Sequence, residues 1–182
     1  MTANPRKNAM RVTAMLILAC SLLPGGTGVA PAFAQKKDYL TQLEARKVRD
    51  ADTPTDRIKL FIAFAADRIM KLQYELEHPG NVARPDERAN NLIINYTNCL
   101  DDAADLIDLG VEKQQDIRPA IKDMQTQAGD FLVYLNGLAS LGQKTAAYKE
   151  NLDDAIEATK DAIKSANEAA KTIAPPVRRK QE

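Results

Sequence analysis

The stretch ANNLIINYTNCLDDAADLIDLG, residues 89–110, decides the fold class. Its apolar residues Ala89, Leu92, Tyr96, Cys99, Ala103 and Leu106 recur three and four positions apart, with Ile93, Leu100 and Ile107 beside them. That is the period of a helix with one buried face; a half-buried strand would alternate instead. Pro85 followed by Asp86 and Glu87 opens the helix. A proline in the first turn gives up an N–H that has no helical partner there, and the carboxylates meet the positive end of the helix dipole. Gly110 is the expected C-terminal cap.

The same period extends in both directions. Thr53-Pro54-Thr55-Asp56 is a second start signal, and the helix after it carries Ile58, Phe61, Ile62, Ala65, Ile69, Leu72 and Leu76 on one stripe until His78-Pro79-Gly80-Asn81 ends it. Ahead of it, residues 36–50 form a short helix whose only large apolar residues are Tyr39, Leu40, Leu43 and Val48. Downstream, a fourth helix enters through Asp116 or Pro119, buries Ile121, Met124, Ala128, Phe131, Leu132, Leu135 and Leu138, and ends at Gly142. If it began near Glu112 instead, Pro119 would kink it. The fifth, over 144–173, has a centre line of small residues: Ala155, Ala158, Thr159, Ala162, Ala166 and Ala169, flanked by Leu152, Ile156, Ile163 and Ile173. A small-residue seam lets a neighbouring backbone come close. Four long helices with short connections, plus the short leading one, predict an all-α antiparallel up-and-down helical bundle over residues 35–174. Strand patterns and fixed-period repeats are absent.

The first 34 residues read as a cleaved signal peptide. Arg6, Lys7 and Arg11 form a basic start without acids, Val12–Leu23 is an almost purely apolar run, and Ala32-Phe33-Ala34 places small residues at a cleavage site. A run of about 12 residues is too short for a stable bilayer anchor. Ile17-Leu18-Ala19-Cys20 resembles a lipobox, whose use would give a lipoprotein through Cys20, but the apolar run continues past the cysteine to Leu23. The expected destination is the periplasm or the extracellular space. Residues 175–182, with Pro175, Pro176, Arg178, Arg179 and Lys180, read as a disordered basic tail.

Without the leader, 148 residues remain, carrying 22 basic and 25 acidic side chains and one cysteine, Cys99. A net charge of −3 argues against a nucleic-acid or polybasic membrane role, and a single cysteine allows no internal disulfide. Glu75-Leu76-Glu77-His78 has the Glu-x-x-His spacing of di-iron bundles, but only once and at a helix end, where His78 is better placed to meet the last carbonyls. Cys99, inside an apolar stripe and far from that histidine, reads as a buried structural thiol. Asp101, Asp105, Asp108 and Glu112 share one face and read as a solvated surface, with weak cation binding or a basic partner as the alternative. Asn95-Tyr96-Thr97 matches a glycosylation sequon but lies in mid-helix.

These patterns lead to no enzyme, no cofactor and no metal site. They lead to an exported protein with a protein-interaction or envelope role, its oligomeric state unread. Leu60 and Phe64 lie off the main stripe of the second helix and Tyr74 points almost opposite it, which makes them the candidate partner-binding residues; the short first helix is their other potential cover. The alternative is a small-molecule-binding bundle with a pocket near Tyr96, Met124 and Phe131. Export is tested by N-terminal sequencing of the mature protein: the expected first residue is Gln35, and a retained leader or a lipidated Cys20 would overturn it.

Overall fold

The computed structural model describes residues 39–81 and 83–173; the expected signal peptide and basic tail lie outside them. The described residues contain five α-helices and no strand: α1 Gln42–Asp50, α2 Pro54–Glu77, α3 Pro85–Glu112, α4 Arg118–Ala139 and α5 Lys149–Thr172. Short 3-10 stretches cover Pro79–Asn81 and Gly142–Tyr148.

Start signals act as the sequence implies. Thr53 accepts a hydrogen bond from the Asp56 amide and Pro54 takes the first helical turn. Pro119 sits in the first turn of α4, so that helix is not kinked from Glu112; its N-cap is Ile117 rather than Asp116. The starts of α1 and α5 differ from expectation, and α4 ends at Ala139 rather than at Gly142. α1 begins only at Gln42, because Thr41 and Glu44 close a reciprocal capping box ahead of it. α5 begins at Lys149 because Gly142, at φ 60°, turns the chain into a 3-10 stretch whose Thr145 and Tyr148 are buried.

Hydrogen bonds between helices give their directions. Glu75 of α2 pairs with Arg88 of α3, across the short turn between them. Between α3 and α5, Asn90 meets Asn151, Tyr96 meets Thr159 and Asp108 meets Ser165, so these two helices run side by side in the same direction. Lys59 with Asp123, and Thr55 with the Asp116 carbonyl, set α2 and α4 parallel likewise. The extensive contacts are α2 with α3, α3 with α5, α5 with α4 and α4 with α2. The chain therefore reverses at each long helix, while the step from α3 to α4 crosses the bundle's diagonal.

Ile117, fully buried, is the residue that makes this crossing. A Cβ on Gly110 would stand 2.7 Å from its Cδ1 and 3.1 Å from its Cγ2. Gly110 therefore lies inside α3, which runs on to Glu112, and is not a cap; it is glycine because Ile117 presses on its backbone. The buried face of α3 is Ala89, Ile93, Tyr96, Cys99, Leu100, Ala103 and Ile107, with Leu92 and Leu106 half-buried. The expected stripe was thus rotated slightly: α3 has two neighbours, and its buried face points between them.

On α5 the seam is as read: Ala155, Thr159, Ala162, Ala166 and Ala169 are buried and Ala158 is half-buried. Ala162→Leu should overpack this contact and cost about 1–3 kcal/mol, and Ala158→Leu less. Urea unfolding of both variants checks the ranking; equal, negligible losses would place the seam in solvent.

Candidate functional site

α1 is the element the bundle does not need for its own closure. Its substantial contacts are with α2, and it contributes no fully buried residue. Tyr39, Leu40 and Val48 are half-buried against the core, while Leu43 remains 61% exposed.

Two arginines of α2 hold it. The Arg68 guanidinium forks onto Glu44, donating from Nη1 to Oε1 at 2.5 Å and from Nη2 to Oε2 at 2.8 Å. It also donates to the Tyr39 carbonyl at 3.3 Å and to Asp67 at 2.8 Å. Arg57 donates to the carbonyls of Val48 and Ala51 at 3.3 and 3.2 Å. The arginines are 11 positions apart, roughly 16 Å along α2. The α2 face between them carries Leu60, Phe61 and Phe64, so α1 lies along that face and runs antiparallel to α2.

Arg68 is only 5% exposed. A buried cation is tolerable when its donors are met, and the planar fork matches a carboxylate. The Arg68 hydrogen bonds hold the Glu44 carboxyl well below the usual carboxylate range, at about 2, against the opposing effect of burial; Thr41 contributes through its capping bonds. The Arg68 charge also lies within electrostatic reach of Cys99, which is fully buried as its stripe implied.

The three sequence-derived partner residues fare differently. Phe64 is 7% exposed and packs edge-on to Phe61, with ring centroids 6.3 Å apart. Leu60 is half-buried and lines an open groove of about 400 Å³ with Asp50, Ala51, Asp52, Asp56 and Lys59, where α1 hands over to α2. Tyr74 is 57% exposed, near Met70 at 62%, one helical turn earlier. Its ring stacks on His78 at 4.4 Å, and His78 Nδ1 is 2.8 Å from the Tyr74 carbonyl, the helix-end role expected of that histidine.

The residues named for an alternative pocket are packed together. Tyr96 and Met124 are fully buried, Phe131 is 7% exposed, and the Tyr96 and Phe131 rings meet edge-on at 5.6 Å. Thr159 spends its proton on the Ala155 carbonyl, so Tyr96 is the donor in the 2.7 Å bond between the two hydroxyls. Burial pushes the Tyr96 phenol above its ordinary pKa, which keeps that proton in place.

Asp101, Asp105, Asp108 and Glu112 are all exposed, as a solvated face requires. Asp108 and Glu112 join Asp161 and Glu168 of α5 around an open groove of about 540 Å³ that also contains Lys164. Burial, then the neighbouring Asp105 and Asp161 charges, raise the Asp101 pKa. Among the described residues no group of three or more His, Cys, Asp and Glu is arranged to hold a metal ion, and no helix is long and apolar enough to cross a membrane. Comparisons with family models, with curated proteins and with solved structures each give no match. Fold and site together define an all-α bundle with an appended helix held by buried charge.

The burial of Arg68 and Glu75, 5% and 8% exposed, does not show in apolar stripes, although Glu75 stands in the Glu-x-x-His spacing. One signal was present: Thr41-Gln42-Leu43-Glu44 has the capping-box spacing that fixes the start of α1 and the position of Glu44.

The ion pair gives a pH prediction. A carboxyl whose folded pKa is depressed adds stability above its unfolded value, and that stability is lost as pH falls through the folded value. For Glu44 the window runs from about 4.5 down to about 2. The α1-docking advantage of wild type over Glu44→Gln, up to about 3 kcal/mol, should be constant above pH 5 and shrink toward zero near pH 2. Protection of α1 amides, measured for both chains across that range, checks it; a difference independent of pH would refute the pairing.

Proposed function

We propose that this chain is an exported, non-enzymatic helical-bundle protein that works by binding another protein through α2. The observation that carries this reading is the mode of attachment of α1. It leans on one helix, buries no residue fully, and is bonded at Arg57 and Arg68, which flank Leu60 and Phe64 on α2. A cover of nine residues has little helical stability of its own, so it depends on docking. A weakly held cover over an apolar face is a means of presenting that face when a stronger ligand arrives. The exposed Met70 and Tyr74 extend the available apolar surface round the outer side of α2. Export to the periplasm or beyond is part of the proposal and rests on the N-terminal signal features.

Site-specific photo-crosslinking in the producing cells tests the reading. A crosslinker at Leu60, which lines the open groove where α1 hands over to α2, should give one discrete adduct of fixed mass, and a crosslinker at Val133 of α4, 75% exposed, should give none. No adduct at Leu60, or the same adducts at both positions, would count against this α2 face as the docking face.

A further inference from the structure

α1 is a template for whatever can lie on the α2 face beneath it. Its first turn carries Glu44 to Arg68, and its last turn offers the Val48 and Ala51 carbonyls to Arg57. The two arginines therefore read opposite ends of a helix: one takes a carboxylate near the N-terminus, the other takes carbonyls at the C-terminus, where the helix dipole is negative. Between them lies an apolar strip.

From this geometry, and resting on the reading of α2 as a docking face, we propose the kind of partner that fits. It is an amphipathic helix with an acidic residue in its first turn, which displaces α1, runs antiparallel to α2 and sets its own carboxylate on Arg68 in place of Glu44. Charge decides the chemistry. Three of the four Arg68 hydrogen bonds named above go to Glu44 and Tyr39, and they leave with α1. Asp67 stays, but it is shared with Lys71 at 2.7 Å. An incoming helix without a carboxylate would bury the guanidinium with donors unmet, and one with a basic residue there would add repulsion. A neutral or basic helix is thus rejected at the position where an acidic one gains. Length favours the newcomer as well. α1 has nine residues, none of its apolar side chains is fully buried and Leu43 is exposed, so a longer helix offering large apolar residues to Phe64 and Leu60 has more to bury.

The test uses the full chain carrying Glu44→Gln, which weakens the internal cover, and a synthetic peptide of residues 39–52 in its native sequence as the probe. Isotope-labelled protein is titrated with peptide to millimolar concentration and followed by amide chemical shifts, with thermal melting to confirm that the bundle stays folded. The native peptide should shift amides around Phe64 and Arg68, and should bind Glu44→Gln about tenfold more tightly than wild type, whose own α1 competes. A peptide with its own Glu44→Gln change should bind at least about tenfold more weakly than the native peptide. In a second variant, Arg68→Met, the two peptides should bind alike. Equal binding of both peptides to the Glu44→Gln chain, or binding of neither, overturns the proposal, as does a preference for the acidic peptide that survives Arg68→Met. Loss of the whole bundle in Glu44→Gln overturns it too, since α1 would then be an integral member. An adduct at Leu60 combined with a negative titration would retain the docking face and remove the acidic-helix partner.

Discussion

Tyr96 joins three helices, and the bundle is arranged around it. It is the largest fully buried side chain among the described residues, projecting from the middle of α3, with its hydroxyl donating to Thr159 of α5 and its ring against Phe131 of α4. A phenol hydroxyl buried without a partner costs about 1–3 kcal/mol, so the register of α3 against α5 is set to within one turn by the position of Thr159. Thr159 can reach because the residues around it, Ala155, Ala162 and Ala166, let α3 approach. The parallel course of α3 and α5 follows, and with it the diagonal step into α4 that Ile117 and Gly110 make possible.

What the sequence shows plainly is periodicity, and four long helices follow from it. Their buried faces were legible wherever apolar residues alone define them: Ile58 through Leu72 on α2, Ala155 through Ala169 on α5. Arrangement was less legible. Short loops imply antiparallel neighbours, yet the crossing from α3 to α4 depends on a glycine pressed by an isoleucine seven residues later, a tertiary contact that a pattern search reads as a cap. Buried polar groups were not legible either. Arg68 and Glu75 look like surface residues in a helical pattern and become buried because α1 and Arg88 bring groups that satisfy them. The candidate partner residues divided for a similar reason: Phe64 lies on the face α1 occupies, whereas Tyr74, three helical turns past Phe64 less one residue in register, turns outward to stack on His78.

The physics separates the molecule into a closed part and an attached part. α2 to α5 bury large apolar side chains against two neighbours each, which is where folding free energy comes from. α1 is held by the Arg68 fork and the Arg57 bonds, with half-buried Val48 packed against the core. Forming such a buried ion pair costs desolvation of both partners, and leaving the arginine buried without a carboxylate costs more, so the pair discriminates sharply among what can sit opposite the arginine. Selectivity with modest affinity is the property expected of a cover that can be exchanged.

Whether α1 opens on its own while the bundle remains closed is measured directly by hydrogen exchange of the wild-type chain under gradually increasing denaturant, below the unfolding transition. Amides of residues 42–50 should exchange at low free energy with little dependence on denaturant, while those around Tyr96 and Thr159 should exchange only with global unfolding. Exchange of α1 in step with Tyr96 and Thr159 would contradict independent opening.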